Sequence, residues 1–328
     1  MRVALLHRYP PDKIKETNAA FPYLQAKGID VLTFKKFDRL SKHKKFWKSL
    51  LWIIYAPLLV IGKGYDVIYC DDSYPFYPGL VKLVSPKSRV VIRIGDFHLM
   101  YLYWNRLFLT YHLLHFFEVL TWKMVDEIYA ISQEMQLKIA SELHEIKTYR
   151  ILDPVDPKDF PITEHLDFGY VMFHGVLTKN KNVDVLLDAA KRLPDVTFLI
   201  VGDGPDRARL ESIAPENVEF EGWVPFSEVK DYIQGCAVGV ALRSNNPGNE
   251  YVVTSPFLQY GVMGKPCLVT RRKVFGDYPW QFSDAEELAL RIQMILKCPD
   301  EGETLRKYVL ENHSAEKIAE GIWSRLLS

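Results

Sequence analysis

The residues best suited to hold an anion lie in one stretch, FHGVLTKNKNVDVLL, at positions 173–187. Gly175 ends a short apolar run, and the lysines after it, including Lys181, precede apolar residues at helical spacing. The N-terminus of a helix presents free N–H groups and partial positive charge, so lysines in the loop before it favour a bound phosphate. The spacing matches neither the GxGxxG fingerprint nor the GxxxxGK(S/T) phosphate loop. A nucleotide at this position would therefore be held by a different arrangement.

The elements around this stretch predict how it is positioned. Val171 to Phe173 reads as a strand, the helix that follows ends at Pro194, and Phe198 to Val201 reads as the next strand. Gly202 then opens the sequence Gly-Asp-Gly-Pro, whose glycines permit a tight turn into another helix. The basic loop is therefore expected at the carboxyl end of a buried strand.

The same alternation of short apolar runs and helical stretches continues along the whole chain. It predicts an α/β protein with parallel sheets and helices on both faces. A length of 328 residues suggests two domains, and three prolines make residues 151–169 a stiff linker between them. The predicted strands are Val3–Leu6, Val31–Phe34, Val67–Cys70, Val90–Ile94, Glu127–Ile131, Thr148–Ile151, Val171–Phe173, Thr197–Val201, Val218–Glu221, Val238–Leu242 and Cys267–Thr270.

The composition excludes several classes of protein. The formal net charge is zero, so nothing global favours nucleic acid as a partner. The four cysteines have neither metal-ligand nor CxxC spacing, which favours buried thiols in a reducing compartment. The N-terminal residues MRVALLHRYPPDK are expected to form a first strand and not a signal peptide. We therefore expect a cytoplasmic protein without a metal site.

Two segments in the first half favour contact with a membrane surface. Residues 35–48 carry seven lysines and arginines, and the apolar run LLWIIYAPLLVI at 50–61 follows them. That run is too short to span a bilayer, and Pro57 interrupts it. A basic segment beside an apolar one with tryptophans is typical of an interfacial helix on anionic lipid. The alternative is a buried helix packed on a sheet.

The second segment is LMYLYWNRLFLTYHLLHFFEVLTW at 99–122, which reads as one long helix rich in aromatic residues. A helix that is apolar nearly all round is either buried or faces lipid. Two such segments in one half are more than a core requires, and an exposed apolar patch marks a binding surface.

Four segments of the second half together resemble a known family. They are FHGVLTKNKNVDVLLDAAKRL, FLIVGDGPDRARLESIA, NVEFEGWVPFSEVKDYIQGCAVGVAL and YGVMGKPCLVT. In this order and spacing they resemble the glycosyltransferases of family 4 (glycosyl transferases group 1). DEIYAISQEMQLKI and YRILDPVDPKDF resemble the end of that family's first domain, so the resemblance covers about residues 125–328. Residues 1–124 agree mainly in the order of strands and helices.

The resemblance implies the GT-B fold, in which two doubly wound Rossmann-like domains face each other across a cleft. We expect an N-terminal, acceptor-side domain over residues 1–160, with 315–328 crossing back to it, and a C-terminal donor-binding domain over 166–314. The implied activity is retaining transfer of a sugar from a nucleotide-sugar, UDP- or GDP-linked, to an acceptor hydroxyl. The family needs no metal or other cofactor.

The resemblance also implies which residues hold the donor. Lys181 would stabilise charge on the leaving phosphate. Thr254 and Ser255, followed by Pro256, read as a helix start whose N–H groups would face the diphosphate, although capping alone also explains them. The other positions implied to contact the nucleotide-sugar are Gly175, Gly202, Trp223, Val224, Arg243 and Gln259.

Two departures from the family pattern concern the same site. Val176 stands where the family usually has an arginine, a role that Arg243 or Arg8 would have to fill. The family carries two glutamates in this region. Gln259 stands at the second of these positions in this chain, and Tyr251 stands at the first. We therefore take the adjacent Glu250 as the candidate carboxylate facing the donor sugar, the alternative being an exposed loop acid.

In the first domain the family often has a His or Asp after the fourth strand. The sequence VVIRIGDFH offers Asp96 and His98, which could orient the acceptor hydroxyl or take its proton. The alternative for Asp96 is to cap the helix that follows.

The main hypothesis is thus a retaining, metal-independent glycosyltransferase, peripheral on the inner face of the membrane, with a lipid-linked glycan acceptor. Alternatives are a soluble transferase with a sugar or small-molecule acceptor, a non-catalytic GT-B protein that binds a nucleotide-sugar, and a sugar-nucleotide epimerase of the same fold.

Overall fold

Two sheets of six parallel strands account for the two compact units into which the chain divides. The computed structural model describes residues 1–9, 11, 14, 18–33, 45–71, 76–162, 169–298 and 300–328. For residues 45–50 it describes the backbone alone. The first unit comprises Met1–Pro154, Glu250–Val252 and Ala315–Ser328. The second comprises Val155–Asn249 and Val253–Ser314.

The first sheet has the strand order β2-β1-β3-β4-β5-β6. Its central strands are buried on both faces, as parallel strands covered by helices must be. The strands are β1 (Val3–His7), β2 (Asp30–Thr33), β3 (Val67–Cys70), β4 (Arg89–Ile94), β5 (Glu127–Ala130) and β6 (Lys147–Arg150). The helices are α1 (Phe21–Ala26), α2 (Lys45–Leu58), α3 (Tyr77–Val84), α4 (Met100–Trp104), α5 (Phe108–Trp122) and α6 (Gln133–Glu142).

The second sheet has the order β12-β11-β10-β7-β8-β9. Strands are added outward from β7 in one direction and from β10 in the other, which is the doubly wound Rossmann order. The strands are β7 (Tyr170–His174), β8 (Phe198–Val201), β9 (Val218–Gly222), β10 (Cys236–Ala241), β11 (Cys267–Thr270) and β12 (Gln281–Phe282). The helices are α7 (Asp184–Ala190), α8 (Arg207–Ile213), α9 (Phe226–Gly235), α10 (Ser255–Val262), α11 (Ala285–Ile295) and α12 (Glu301–Asn312).

Each sheet separates two apolar cores. In the first unit, Trp52 of α2 and Trp122 of α5 pack on one face. On the other face, Phe21 of α1 packs with Ile322 and Leu326 of the last helix, α13 (Ala315–Leu327). The terminal helix thus completes the core of the first unit, because without it one face of that sheet would be partly uncovered.

The predicted strands all occur, with ends that shift by one or two residues, and β12 was not predicted because it has only two residues. The single long helix predicted over 99–122 is wrong. It is divided into α4 and α5 at Arg106, whose φ of 62° lies in the left-handed region. Asn105 closes α4, since its Nδ2 donates to the Tyr101 carbonyl oxygen over 2.7 Å.

The apolar residues of α5 face outward more than inward. Its buried residues are Glu118 and Trp122, whereas the side chain of Leu109 is 86% exposed. The interior side of α5 is polar: His115 Nδ1 lies 3.0 Å from Glu118 Oε2, and His115 Nε2 lies 3.5 Å from Glu142 Oε2 on α6. These hydrogen bonds raise the pKa of His115 to about 9, so it is charged at neutral pH.

Helix α2 agrees in part with each interpretation of the run at 50–61, the buried helix and the interfacial helix. Trp52 and Ala56 are buried on the sheet, whereas Leu51, Ile54 and Leu58 are exposed. Most of the predicted basic run, residues 35–44, lies outside the described residues, as do the side chains of Lys45 and Lys48. Within the described part of the chain, no helix is long and apolar enough to cross a bilayer.

Candidate functional site

The order of strands in the second sheet locates a ligand crevice. The direction of winding reverses between the neighbouring strands β7 and β10, and ligands of doubly wound sheets bind beyond the carboxyl ends of the strands at such a point. β7 ends at His174 and β10 at Ala241. The loops that follow in the second unit, residues 175–183 and 242–249, therefore form the walls of the candidate site.

Asn180 ties these two loops together. Its Oδ1 accepts hydrogen bonds from Ser244 Oγ over 2.8 Å and from Asn249 Nδ2 over 3.1 Å. Its carbonyl oxygen also accepts from the Ser244 N–H over 2.9 Å. Ser244 and Asn249 are buried, so these bonds replace water that the groups would otherwise lose. Lys181, next along the chain, is thereby held beside the loop that leads into α10.

Arg272, which follows β11, fixes the second loop from its other side. Its Nη2 donates to the carbonyl oxygens of Arg243, over 3.0 Å, and of Ser244, over 2.6 Å. The Arg243 N–H donates to Thr270 Oγ1 over 3.1 Å. Arg243 therefore has a fixed backbone directly after β10, and its side chain is half-buried. A contact of its guanidinium with the donor stays a prediction.

The start of α10 has the predicted cap. Thr254 adopts an extended conformation, with φ −85° and ψ 141°, and its hydroxyl accepts from the Phe257 N–H over 3.4 Å. Pro256 occupies the first turn, where it has no N–H to donate. The Ser255 N–H has no partner among the described residues, and the Ser255 side chain is exposed. An anion at this helix start would therefore meet the amide and hydroxyl of Ser255.

His174 is the last residue of β7 and directly precedes the basic loop. Burial, with a further contribution from the charge of Lys181, lowers its pKa to about 3, so the imidazole is neutral. Its ring lies edge-on to Tyr260 of α10, with centroids 5.1 Å apart.

The glycines of this region have a structural reason. A Cβ on Gly202 would lie 2.0 Å from the Gly175 carbonyl oxygen, and one on Gly204 would lie 2.3 Å from the Leu177 carbonyl oxygen. Gly175 and Gly202 also have φ values of 143° and 142°. The loops after β7 and β8 therefore touch backbone to backbone, which only glycine permits. A nucleotide contact at Gly175 or Gly202 stays a prediction.

The remaining predicted donor residues occupy two places in the second unit. Trp223 and Val224 follow β9, and the Trp223 side chain is 72% exposed, so its ring is open to a partner. Gln259 lies on α10 and is buried, and its side-chain amide donates no hydrogen bond to the described residues. Val176 is 58% exposed and brings no charge to the basic loop.

The three predicted catalytic residues belong to the first unit. Asp96 and His98 follow β4, with Asp96 Oδ2 and His98 Nδ1 3.9 Å apart. Helix α4 begins after Leu99 without a side-chain cap, so the alternative of Asp96 as its cap is wrong. Phe97, between them, contacts the Tyr251 ring edge-on at a centroid distance of 5.0 Å. This contact places Tyr251 beside the loop that follows β4.

Tyr251 is an anchor that the sequence did not reveal. Its carbonyl oxygen accepts a hydrogen bond from Ser132 Oγ over 2.7 Å, and its ring packs against the first core. Val252 is buried in the same core. The tyrosine at the family's first glutamate position therefore attaches this short segment to the first unit.

A buried ionic network lies at the carboxyl ends of β3 and β4 in the first unit. Arg93 pairs with Asp153 and, over 3.4 Å, with Asp71 Oδ1. Tyr69 and Asn18 also donate to Asp71, over 3.2 and 2.5 Å. Burial raises the pKa of Asp153 to about 6 against the effect of Arg93, and the neighbouring Asp71 and Asp96 contribute. No apolar periodicity reveals such a network, since it depends on residues far apart in sequence.

Residues 169–297 match the family described as glycosyl transferases group 1. A curated relative, the uncharacterized glycosyltransferase MJ1178 of Methanocaldococcus jannaschii, is 27% identical over 115 residues. The match covers 34% of this chain and 31% of that protein, so the chain aligns with about a third of the relative's length.

Several solved structures resemble the whole chain in fold. Anabaena Alr3699/HepE in complex with UDP and glucose has a TM-score of 0.71 at 15% identity, with 100% of each chain covered. Sucrose-phosphate synthase from Thermosynechococcus elongatus has a TM-score of 0.76 at 15% identity, covering 100% of this chain and 99% of that one. The lipopolysaccharide outer core galactosyltransferase WaaB has a TM-score of 0.63 at 14% identity, covering 99% and 100%. The predicted GT-B fold is therefore confirmed.

Among the described residues, no group of three or more His, Cys, Asp or Glu side chains is placed to hold a metal ion. Three of the four cysteines are buried as free thiols, as predicted.

Proposed function

We propose that this chain is a retaining, metal-independent glycosyltransferase that moves a sugar from a nucleotide-sugar to a lipid-linked acceptor at a membrane surface. The observation that carries the catalytic part is the loop pair at the reversal between β7 and β10. There, Asn180 holds Lys181 beside the loop that leads into the capped start of α10.

The reaction needs positive charge where the nucleoside diphosphate leaves. Lys181 would supply this positive charge with its ammonium group and so stabilise the negative charge on the leaving diphosphate. The Ser255 N–H would donate to a phosphate oxygen. Groups placed in advance around developing charge typically contribute about 10²–10³ in rate each. Because Val176 brings no charge, Arg243 is the residue that we propose as the second cation.

The remaining roles follow the family pattern residue by residue. Gln259 is proposed to hydrogen-bond the ribose hydroxyls, without the charge assistance that a glutamate would give. Trp223 and Val224 are proposed to contact the base, Glu250 to face the donor sugar, and Asp96 with His98 to orient the acceptor hydroxyl.

The donor is proposed to be UDP-linked in the first instance. Support comes from similar structures that were solved with UDP and glucose or with UDP-2-fluoro glucose. These structures are at most 15% identical to the chain, so other nucleotides belong in the same test.

The membrane part of the proposal rests on one face of the first unit. Helix α3 packs against both α2 and α5, so the three helices form one layer. Large apolar side chains are exposed on each of them, namely Leu51, Ile54 and Leu58 on α2, Leu83 on α3, and Leu109, Leu113, Phe116, Phe117 and Leu120 on α5. A soluble helix turns such residues inward, whereas an interfacial helix buries them among acyl chains.

Basic residues lie at the ends of these helices. Lys63 follows α2, Arg106 precedes α5 and Lys123 follows α5, and all three are exposed. Basic residues at the edge of an apolar face favour anionic head groups. We call the exposed apolar side of α2, α3 and α5 the apolar face.

A second candidate is a transferase whose acceptor is a sugar or another small molecule. It is favoured by the similarity to sucrose-phosphate synthase, whose TM-score of 0.76 exceeds those of HepE and WaaB. A non-catalytic protein that binds a nucleotide-sugar is favoured by Val176 and Gln259, since each weakens the family's donor site.

Donor binding is the first test. A screen of the full chain against UDP-, GDP- and other nucleotide-sugars should raise the unfolding temperature for one donor. A ligand at a hundred times its Kd adds about 2.7 kcal/mol to apparent stability. The shift should largely disappear in Lys181→Ala and persist in the control Lys179→Ala, a change in the same loop at an exposed position. No shift with any donor would contradict the proposal.

A further inference from the structure

A cavity of about 350 Å³ opens in the second unit beside the first turn of α10. Its walls come from α10, from the segment 274–279 after β11, and from α12. None of the donor residues named above lines it. Its volume lies within the range of small-molecule sites, about 300–1,000 Å³.

Four aromatic rings lie in the wall, those of Phe257, Phe275, Tyr278 and Tyr308. Phe257 lies edge-on to Phe275 and to Tyr278, with centroid distances of 5.2 and 5.3 Å. The Tyr278 hydroxyl donates to the Cys267 carbonyl oxygen over 2.8 Å, which fixes that ring. Tyr308 stands at the mouth with 46% of its surface exposed. The Phe257, Phe275 and Tyr278 rings are thus held in place by one another and by the Tyr278 hydrogen bond.

The charge of the lining is negative. The described residues that line the cavity include two carboxylates, Asp277 and Glu301, and no Lys, Arg or His. Asp277 is exposed and forms no ion pair with the described residues. Glu301 Oε2 accepts from Trp280 Nε1 over 2.8 Å, which orients the carboxylate and leaves Oε1 available.

We propose that this cavity binds a small organic cation with an apolar body, such as a quaternary ammonium compound. Aromatic faces attract a cation through their quadrupole, by about 0.5–2 kcal/mol, and the carboxylates add direct charge attraction. The same carboxylates repel phosphate, so the cavity does not take the diphosphate of a donor. The site stands independently of the proposed transferase activity.

The probe for this site is choline, compared with its neutral isostere in which a tert-butyl group replaces the trimethylammonium group. The two molecules have the same shape, so their difference reports the charge alone. Titration of the full chain followed by NMR should show saturable choline binding. The isostere should bind about 2- to 30-fold more weakly, as the cation–π range converts.

Two variants test the wall and the charge separately. Phe275→Leu keeps an apolar side chain but removes a π face, and Asp277→Asn removes a charge at an exposed position. Each should weaken choline binding about 2- to 10-fold, whereas Glu311→Gln, exposed on the same helix as Tyr308, should leave it unchanged. The unfolding temperature of each variant checks that it is folded.

Three results would overturn the inference. They are the absence of saturable choline binding, equal binding of choline and its isostere, and unchanged affinity in both folded variants.

Discussion

At the residue scale, the candidate site depends on Asn180 more than on any residue the sequence singled out. Its amide oxygen and carbonyl oxygen receive hydrogen bonds from three residues of the facing loop, Ser244, Asn246 and Asn249. Lys181 supplies the charge, but a flexible lysine is effective only if its loop is fixed. The family pattern identifies the cation, and the hydrogen bonds explain why it stays in place.

Replacing Asn180 tests this positioning role. Asn180→Ala removes the acceptor of the buried Ser244 hydroxyl and one acceptor of Asn249 Nδ2, which keeps its bond to the Ser244 carbonyl oxygen. The loss should lower the free energy of unfolding by about 1–3 kcal/mol. It should also weaken donor binding. Asn180→Asp keeps an oxygen at the same position, so it should retain most of the stability. Denaturant unfolding measures both, and equal losses in the two variants would argue against the hydrogen-bond account.

At the element scale, α5 has its polar groups inside and its apolar groups outside. His115 and Glu118 face α6, where Glu142 and Lys138 complete a network of four charges, and the Tyr111 ring stacks on His115. Although burial opposes it, hydrogen bonds from His115 and Lys138 lower the pKa of Glu142. Ion pairs therefore hold α5 to α6, Trp122 packs in the first core, and large apolar side chains of α5 are exposed.

This network predicts a dependence of stability on pH. The pKa of His115 is about 9 in the folded protein and about 6.5 in the unfolded chain. Its stabilisation is therefore fully present below about pH 6.5 and is lost as pH rises through about 9, on the order of 2 kcal/mol. Unfolding curves of the parent chain and His115→Gln should converge above that pH. A constant difference from pH 6 to 10 would contradict the assignment.

The apolar face predicts binding to lipid vesicles. The double variant Leu109→Glu, Leu113→Glu changes two exposed side chains, so it should fold normally. Each leucine contributes about 1.5–3 kcal/mol when fully buried in an apolar phase, so sedimentation with anionic vesicles at low salt should fall at least about tenfold.

The matched control is the double variant Leu290→Glu, Met294→Glu on α11 of the second unit. These side chains have the same spacing and are 55% and 52% exposed. Vesicle binding should be unchanged by this substitution. The membrane part of the proposal fails if the parent chain does not bind, or if both double variants bind like the parent chain.

At the scale of the whole molecule, the sequence predicted the architecture because its signals are local. Buried runs such as VIYC in β3 and FLIV in β8 read as strands, and alternation with helices implies parallel sheets. The start of α10 was also predicted, since a threonine followed two residues later by a proline is a local capping signal.

What the sequence did not predict depends on contacts between distant residues. Tyr251 packs with Phe97 and Ser132, more than a hundred residues earlier in the chain, and nothing near Tyr251 indicates this. The division of residues 99–122 into two helices depends on the conformation of Arg106, a residue type that ordinarily favours helix. The outward orientation of the apolar side of α5 follows from its ion pairs to α6, which hydropathy does not detect.

The measurement that tests the central claim most directly is donor turnover with Lys181 as the variable. The full chain would be incubated with nucleotide-sugars and vesicles of lipid-linked glycans, and release of the nucleoside diphosphate would be followed. We predict turnover of one donor, with retention at the transferred sugar, a fall of about 10²–10³-fold in Lys181→Ala, and no change in Lys179→Ala. Absence of turnover with every donor and acceptor, or equal turnover by Lys181→Ala and the parent chain, would contradict the account.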